Sequence, residues 1–327
     1  MLKFPEFSAD SFVTDDLFDI QYVTGMREAG NSLLLFHEGK IVFLTNKIYL
    51  DQAGKGLKNI EVDEISLSSV EKRLKGKTVS FDPAKLSLLA YLRIKKWAKK
   101  TVLEPDALAK VRAVKTEEEK ERIKKAAGIT KQVLKKLEAQ VWTGKKEKGI
   151  SDFIKKEYFS RGVKESFEPV TAGDSNSAYP HYRSGNNRLK SFFLVDTGCF
   201  YEDYAADLTR MVVLDNIKFQ LSKELEITKE AKRMAEVMIR PGVRIKDVAE
   251  GISGFFKKKG MGDAIRHGLG HGLGLEIHEY PAINEKNDDL FIENMAITIE
   301  PGLYVLGKGG IRLEDTYIIK KHGVSVL

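Results

Sequence analysis

Between residues 192 and 319 of this chain, short apolar runs repeatedly meet a carboxylate or an imidazole. The run 192–195 leads into Asp196, Asp207 opens the run 208–214, 296–299 leads into Glu300, and 311–319 carries Arg312 and Glu314. The Gly-rich stretch 267–279 holds His267, His271 and His278, half of the six histidines in the chain. A charged group on a core strand is costly unless something compensates it. A fold that buries these strands must therefore gather the charges or lead them to solvent. Taken singly, Asp196 and Asp207 read as turn aspartates at the two ends of a hairpin. Glu314 reads as part of the charged face of one continuous surface strand, with Arg312 beside it and Ile311 and Leu313 on the opposite face.

The Gly-rich stretch is not a phosphate-binding loop, because no Lys followed by Ser or Thr closes it and no strand precedes it. Nor do its histidines have the spacing of the helical two-histidine zinc motif. Imidazole ligands or acid/base groups approached closely by backbone explain it better. Together Asp196, Asp207, His271, Glu300 and Glu314 make four carboxylates and one imidazole. A dinuclear centre of divalent cations balances that charge, and oxygen-rich ligands with one imidazole suit manganese, cobalt, iron or zinc more than copper. A water between two such ions roughly 3.5–4 Å apart becomes hydroxide near neutral pH, which makes the site hydrolytic.

The rest of the chain supplies the frame. At 327 residues, and about 150 per domain, two domains are expected. Hydrophobic residues at 42% and charged residues at 31% exclude a disordered chain. The net charge of +7 is spread over both parts, so no basic domain points to nucleic acid. The cluster Arg93, Lys95, Lys96, Lys99 and Lys100 around Trp97 reads as a solvated helix face whose lysine stems cover the indole. No apolar run approaches the roughly 18–20 residues of a membrane span, and the start of the chain lacks a signal peptide's apolar stretch. The single cysteine, Cys199, excludes an internal disulfide and fits a reducing, cytoplasmic compartment. It is expected to be a small buried core residue rather than a ligand. His37 and His322 are expected to be structural or exposed, and His267 has no assigned role, an outer place beside the site being only its lesser reading.

Residues 1–112 read as a small α/β unit with a hairpin of 33–36 and 41–44 around the turn 37–40, a strand at 78–81 and a helix over 86–100. A capping box of Thr116 and Glu119 opens a long helix with Ile123, Ala126, Ala127, Thr130, Val133, Leu134, Leu137 and Val141 on one buried face. Further helices are expected over 221–238, stopped by Pro241-Gly242, and over 246–258. Helices alternating with mostly antiparallel-looking strands make 113–327 an α+β domain, whose two halves each offer helix then strands, as an internal duplication would.

The order Asp-x10-Asp, then GHG with a second His seven residues on in HE, then EPG, then RLED, resembles the pita-bread metallopeptidases. These include methionine aminopeptidase, aminopeptidase P and Xaa-Pro dipeptidase (prolidase). Tyr22-Val23-Thr24-Gly25 resembles the family's YLTG segment, Val114-Lys115-Thr116 through Glu119 its linker, and Pro180-His181-Tyr182 its PHY segment. The resemblance implies a C-terminal pita-bread (creatinase/aminopeptidase-like) catalytic domain over 113–327 and a smaller N-terminal creatinase/prolidase-like α/β domain over 1–112. It implies that Asp196 chelates one metal, Asp207 and Glu314 bridge both, and His271 and Glu300 complete the other. Glu300 would also accept the proton of the attacking water, His181 and His278 would bind substrate and stabilise the tetrahedral intermediate, and Arg312 would orient neighbouring carboxylates.

It further implies two divalent metal ions, manganese or cobalt with zinc or iron as alternatives, and a homodimer in which one N-terminal domain helps wall the partner's active site. The N-terminal domain argues against methionine aminopeptidase. The expected reaction is hydrolysis of the Xaa-Pro bond in dipeptides; proline lacks the N–H that general peptidases use, so a dedicated pocket is expected. Release of the N-terminal residue from longer Xaa-Pro peptides, as by aminopeptidase P, and a non-peptidase pita-bread hydrolase are the alternatives. A binding protein without activity is disfavoured because all five ligand positions are kept. The chain departs from the pattern at two places. Ala282 follows Tyr280-Pro281 where some prolidases carry an Arg that can hold the substrate carboxylate, and Asp203 replaces a Gly within the segment that leads to Asp207.

Overall fold

The computed structural model describes residues 6–214 and 220–327. The chain forms two compact units, residues 1–112 and 113–327.

The first unit is built on a six-stranded mixed sheet, in the order Glu61–Glu64, Lys40–Thr45, Leu33–His37, Ser11–Thr14, Thr78–Phe81 and Lys100–Leu103. Strand residues alternate between two cores. Val13, Leu33, Leu35, Val42, Leu44 and Val79 pack on one face, and Phe12, Leu34, Phe36 and Phe43 on the other. Apolar side chains on both faces require cover on both, which the helices supply. The expected hairpin is present: Leu33–His37 pairs antiparallel with Lys40–Thr45. Its turn residues Glu38 and Gly39 both have positive φ, +48° and +73°, as a two-residue primed turn requires. The helix expected over 86–100 is shorter, Leu88–Ile94 with Ser87 as N-cap, and Lys100 instead begins a strand. The peptide groups of Trp97 and Lys99 bond to Gly76 and Lys77, and this tertiary pairing ends the helix despite its favourable composition. Lys95 lies over the Tyr91 ring, and Trp97 packs partly buried against the core.

In the second unit the long helix runs Glu117–Glu138, and the Thr116/Glu119 capping box is formed in both directions. Val141 lies beyond its end and is 75% exposed, so it does not belong to the buried face. The helices Ser222–Met238 and Ile245–Lys258 form where the periodicity places them. The helix Glu147–Ser160 has no counterpart in the sequence reading. Each half of the unit thus has a helix pair followed by strands.

The first pair, through Ala126, Val133, Leu134, Ile150, Ile154 and Tyr158, covers Phe193, Val195 and Leu208. The second, through Ile227, Ala231, Ile245, Val248, Ile252 and Phe256, covers Ile297, Ile299, Leu303, Tyr317 and Ile319. The strands form an antiparallel three-stranded sheet (Leu208–Val213, Phe192–Thr197, Val170–Gly173), a five-stranded sheet (Glu279–Ile283, Gly270–Gly272, Ala296–Ile299, Asp315–Lys320, Gly323–Val326) and the pair Gly302–Val305 with Gly309–Arg312. Strand parity aims the functional groups. Phe193 and Val195 face the helices, so Asp196 faces away from them, and the same holds for Ile297 and Ile299 against Glu300.

Cys199 is buried in the first core, its Sγ near the Thr130 hydroxyl and the Ala126 carbonyl, and burial pushes its thiol up to about 11. Among the described residues no helix is long and apolar enough to cross a membrane.

Candidate metal centre and active site

Asp196 is the next-to-last residue of the strand Phe192–Thr197, which pairs with Leu208–Val213 so that Asp196 opposes Thr209 and Thr197 opposes Leu208. The chain between them forms a small hairpin of Cys199–Tyr201 with Tyr204–Ala205. Its turn residues Glu202 and Asp203 have φ of +45° and +73°. Asp203 thus occupies a left-handed position at which glycine is the favoured residue, and the hairpin forms with aspartate there. Asp207 is fixed by a reciprocal pair: its N–H donates to Thr316 Oγ1, and the Thr316 hydroxyl donates to the Asp207 carbonyl.

The Gly-rich stretch contributes the short interior strand Gly270–Gly272, paired on one side with Glu279–Ile283 and on the other with Ala296–Ile299. A Cβ on Gly272 would lie 2.1 Å from the Tyr280 carbonyl oxygen, and one on Gly270 2.3 Å from that of Thr298. Glycine is therefore needed on either side of His271 for the backbone to fit. The His271 N–H donates to Thr298 Oγ1, and its Nδ1 lies 3.0 Å from the Gly272 carbonyl. That carbonyl can only accept, which puts the ring proton on Nδ1 and leaves the Nε2 lone pair facing Asp207 and Glu300, each 3.7 Å away. Ligand atoms of Asp207, His271 and Glu314 lie within 4.8 Å of one another.

The single strand expected over 311–319 is two strands, Gly309–Arg312 and Asp315–Lys320, in different sheets. Leu313 and Glu314 lie at the switch, where Glu314 exchanges backbone hydrogen bonds with Thr209. The face carrying Arg312 and Glu314 is accordingly buried and not a solvated surface. Arg312 is 3% exposed and spends its donors on Asp196 Oδ2, Thr209 Oγ1, Tyr304 OH and the Pro180 carbonyl. Thr209 in turn donates to Glu314 Oε2 at 2.6 Å. One guanidinium thereby orients two carboxylates, one directly and one through a hydroxyl.

All of the singled-out residues line one cavity of about 1040 Å³: Asp196, Asp207, His271, Glu300, Glu314, His181, His278 and Arg312, with His267 beside them. The His271 and His278 rings meet edge to face at 4.4 Å. His267 bonds Tyr304 through Nε2 and lies 3.7 Å from Glu300 through Nδ1. His37 and His322 lie elsewhere, His37 bonded to Ser11 in the first unit and His322 exposed.

Burial, and then the neighbouring carboxylates, hold Asp207 and Glu314 well above the usual carboxylate range. Burial pushes Glu300 up to about 7, against the lowering effect of Arg312. It also pushes His271 and His267 down to about 4. Two buried oxygens, Asp196 Oδ1 and Asp207 Oδ1, have no hydrogen-bond partner among the described residues. Buried acceptors are almost always satisfied. Carboxylate oxygens without partners, together with a neutral imidazole whose lone pair faces Asp207 and Glu300, are a donor set for a divalent cation, and the residues present fit one.

Residues 121–321 match the model of metallopeptidase family M24. The chain belongs to that family. Divalent metal ions are the cofactor that M24 membership implies, in agreement with the donor set. The chain is 34% identical over 227 residues to an Xaa-Pro dipeptidase of Pyrococcus furiosus, an alignment that covers 68% of this chain and 65% of that protein. Among solved structures, it superposes on an Xaa-Pro dipeptidase from Bacillus anthracis with a TM-score of 0.89 at 25% identity, covering 97% of this chain and 92% of the other. It also superposes on an X-Pro aminopeptidase from Thermotoga maritima with a TM-score of 0.83 at 28% identity, covering 98% and 95%. The M24 chain thus has the pita-bread fold, an α+β arrangement, over its larger unit.

Sequence reasoning missed the groups that hold the singled-out residues in place. Thr209, Thr298, Thr316 and Tyr304 are not singled out by the sequence, because their roles depend on partners far away in the chain.

Proposed function

We propose that this M24 protein hydrolyses the Xaa-Pro peptide bond of dipeptides with a pair of divalent metal ions, manganese or cobalt ahead of zinc or iron. The observation that carries this reading is the cluster of buried, partly unsatisfied carboxylates and one oriented imidazole on the floor of a cavity, in a chain similar to Xaa-Pro dipeptidases over most of its length. In this reading Asp196, Asp207, His271, Glu300 and Glu314 would hold the metal ions. Bound there, the metal pair supplies Lewis acidity toward the scissile carbonyl and lowers the pKa of water.

The chain's own residues do the rest. Glu300 takes the proton of the attacking water and returns it to the leaving proline nitrogen. His181 and His278, on the cavity wall, donate hydrogen bonds to the substrate as charge develops on its carbonyl oxygen. Arg312 keeps Asp196 and, through Thr209, Glu314 in the orientation that binding requires. The single cysteine supports a cytoplasmic setting, and the family resemblance supports a homodimer, which sedimentation velocity checks.

Ala282 supplies no cation for a dipeptide's carboxylate, which favours the aminopeptidase P reaction as the second reading. The test is a comparison of Ala-Pro with Ala-Pro-Ala on manganese-loaded enzyme. We expect the dipeptide to have the higher kcat/KM. Cleavage of the tripeptide alone moves the assignment to the aminopeptidase reaction, and cleavage of neither with manganese, cobalt or zinc refutes a prolyl peptidase.

A further inference from the structure

Glu147 opens the helix Glu147–Ser160 and is fully buried. Among the described residues no cation pairs with it. Its carboxylate is instead saturated by four donors. Oε1 accepts from the Gly173 N–H and from Asn176 Nδ2, both at 2.8 Å. Oε2 accepts from the Tyr182 hydroxyl at 2.9 Å and the Gly185 N–H at 3.2 Å. Backbone bonds run beside them, from the Glu147 N–H to Asn187 O and from the Lys148 N–H to Gly185 O. Asn176 and Asn187 also reach the Tyr182 hydroxyl, each at 3.0 Å.

Every one of these partners belongs to residues 173–187, the segment that brings His181 to the cavity. The imidazole of His181 has no hydrogen bond of its own among the described residues, so its neighbours determine its place. On one side the Pro180 carbonyl accepts from Arg312, the residue that also grips Asp196. On the other side the Tyr182 hydroxyl is bound to Glu147. A turn closed by the Tyr182 N–H on the Tyr179 carbonyl joins the two anchors. The Tyr182 phenol is held above its ordinary value by burial and by this bond, so it remains a donor.

We infer that Glu147 is a positioning residue for catalysis, which acts through Tyr182 and the 173–187 segment to hold His181 over the cluster of Asp196, Asp207 and Glu314. The inference rests on the proposed role of His181 in binding substrate. A carboxylate suits the task because it alone offers acceptors for four converging donors. Glutamine in its place keeps the volume but turns an amino group toward two of them. A backbone N–H cannot reverse its polarity, so the segment must shift, and a displacement of about 1 Å in a catalytic group can cost about 100-fold in rate.

The test combines kinetics with a reading that does not depend on activity. Glu147→Gln should lower kcat for Ala-Pro by about 10–100-fold with a much smaller change in KM, while manganese content stays that of the wild type. Amide hydrogen exchange over residues 173–187 should speed up. In a double-mutant cycle with His181→Ala, the Glu147→Gln effect should shrink to under about threefold, because the group it positions is gone.

Wild-type exchange in that segment, or an undiminished Glu147→Gln effect in the His181→Ala background, overturns the inference. If Glu147→Gln does not fold, Tyr182→Phe removes one link and leaves the carboxylate in place. It should show the same pattern at smaller size, and an unchanged kcat with unchanged exchange is equally contrary. A wild-type enzyme that cleaves no Xaa-Pro bond refutes the functional reading instead, and the exchange measurement still decides whether Glu147 holds the segment.

Discussion

Thr209 is the residue on which the geometry of the cluster turns. Its hydroxyl accepts from Arg312 Nε and donates to Glu314 Oε2, so it links the guanidinium that grips Asp196 to a second carboxylate. Thr209→Val keeps the shape and leaves two buried polar groups unpaired, which should cost about 1–3 kcal/mol of stability. Loss of an outer hydrogen bond of this kind should weaken metal binding about 10–100-fold. Equilibrium denaturation and metal titration check the two effects, and a variant unchanged in both contradicts the linking role. Asp196, Asp207, His271, Glu300 and Glu314 stand out in the sequence because a carboxylate or imidazole interrupts an apolar run. Thr209, Tyr304 and Glu147 do not stand out: threonine and tyrosine are common in strands, and Glu147 lies in a Lys-rich stretch that reads as solvated surface.

At the scale of elements, period and capping carry most of what the sequence reveals. The 3.6-residue spacing marks Glu117–Glu138, Ser222–Met238 and Ile245–Lys258, and short apolar runs ending at a carboxylate mark Phe192–Thr197 and Ala296–Ile299. Glu147–Ser160 is not evident because its N-cap, Lys146, makes no side-chain cap and charged residues crowd its start. The break at Leu313-Glu314 is hidden for a different reason: the apolar alternation continues across it, while the partner strand changes from Gly302–Val305 to Ala296–Ile299. Gly272 ties element geometry to chemistry. Its absent side chain lets the His271 strand lie against Tyr280, so Gly272→Ala forces a backbone shift beside the imidazole. Metal affinity should fall by at least about 10-fold, and a variant that binds metal like the wild type contradicts that account of the Gly-rich stretch.

For the molecule as a whole, the gathered carboxylates make stability depend on metal and on pH together. Glu300 has an ordinary value of 4.5 and is pushed up to about 7, with Asp207 and Glu314 raised as well. A raised carboxyl means that the folded, metal-free chain holds protons the unfolded chain has lost. The stabilising effect is complete below about pH 4.5 and is lost as pH rises through about 7. His267 and His271, pushed down to about 4, oppose this trend up to about pH 6.5, so chelated protein should melt at progressively lower temperature from about pH 6.5 to pH 8. Metal-loaded protein should not follow it, because the cation takes the place of the protons. A melting temperature indifferent to chelation at pH 8 contradicts the gathering of charge.

The net charge of +7 counts Asp196, Asp207, Glu300 and Glu314 with all the others, so bound divalent cations make the loaded protein more positive than the formula states. The central claim is that this charge cluster binds the metal ions that cleave an Xaa-Pro bond. The most direct measurement is a manganese titration of metal-stripped enzyme followed by Ala-Pro hydrolysis, with Asp207→Asn alongside. Without metal there should be no turnover, activity should rise and saturate near two ions per chain, and the variant should show little activity at any metal concentration. Full activity in excess chelator, or an Asp207→Asn variant that titrates and turns over like the wild type, would contradict the central claim.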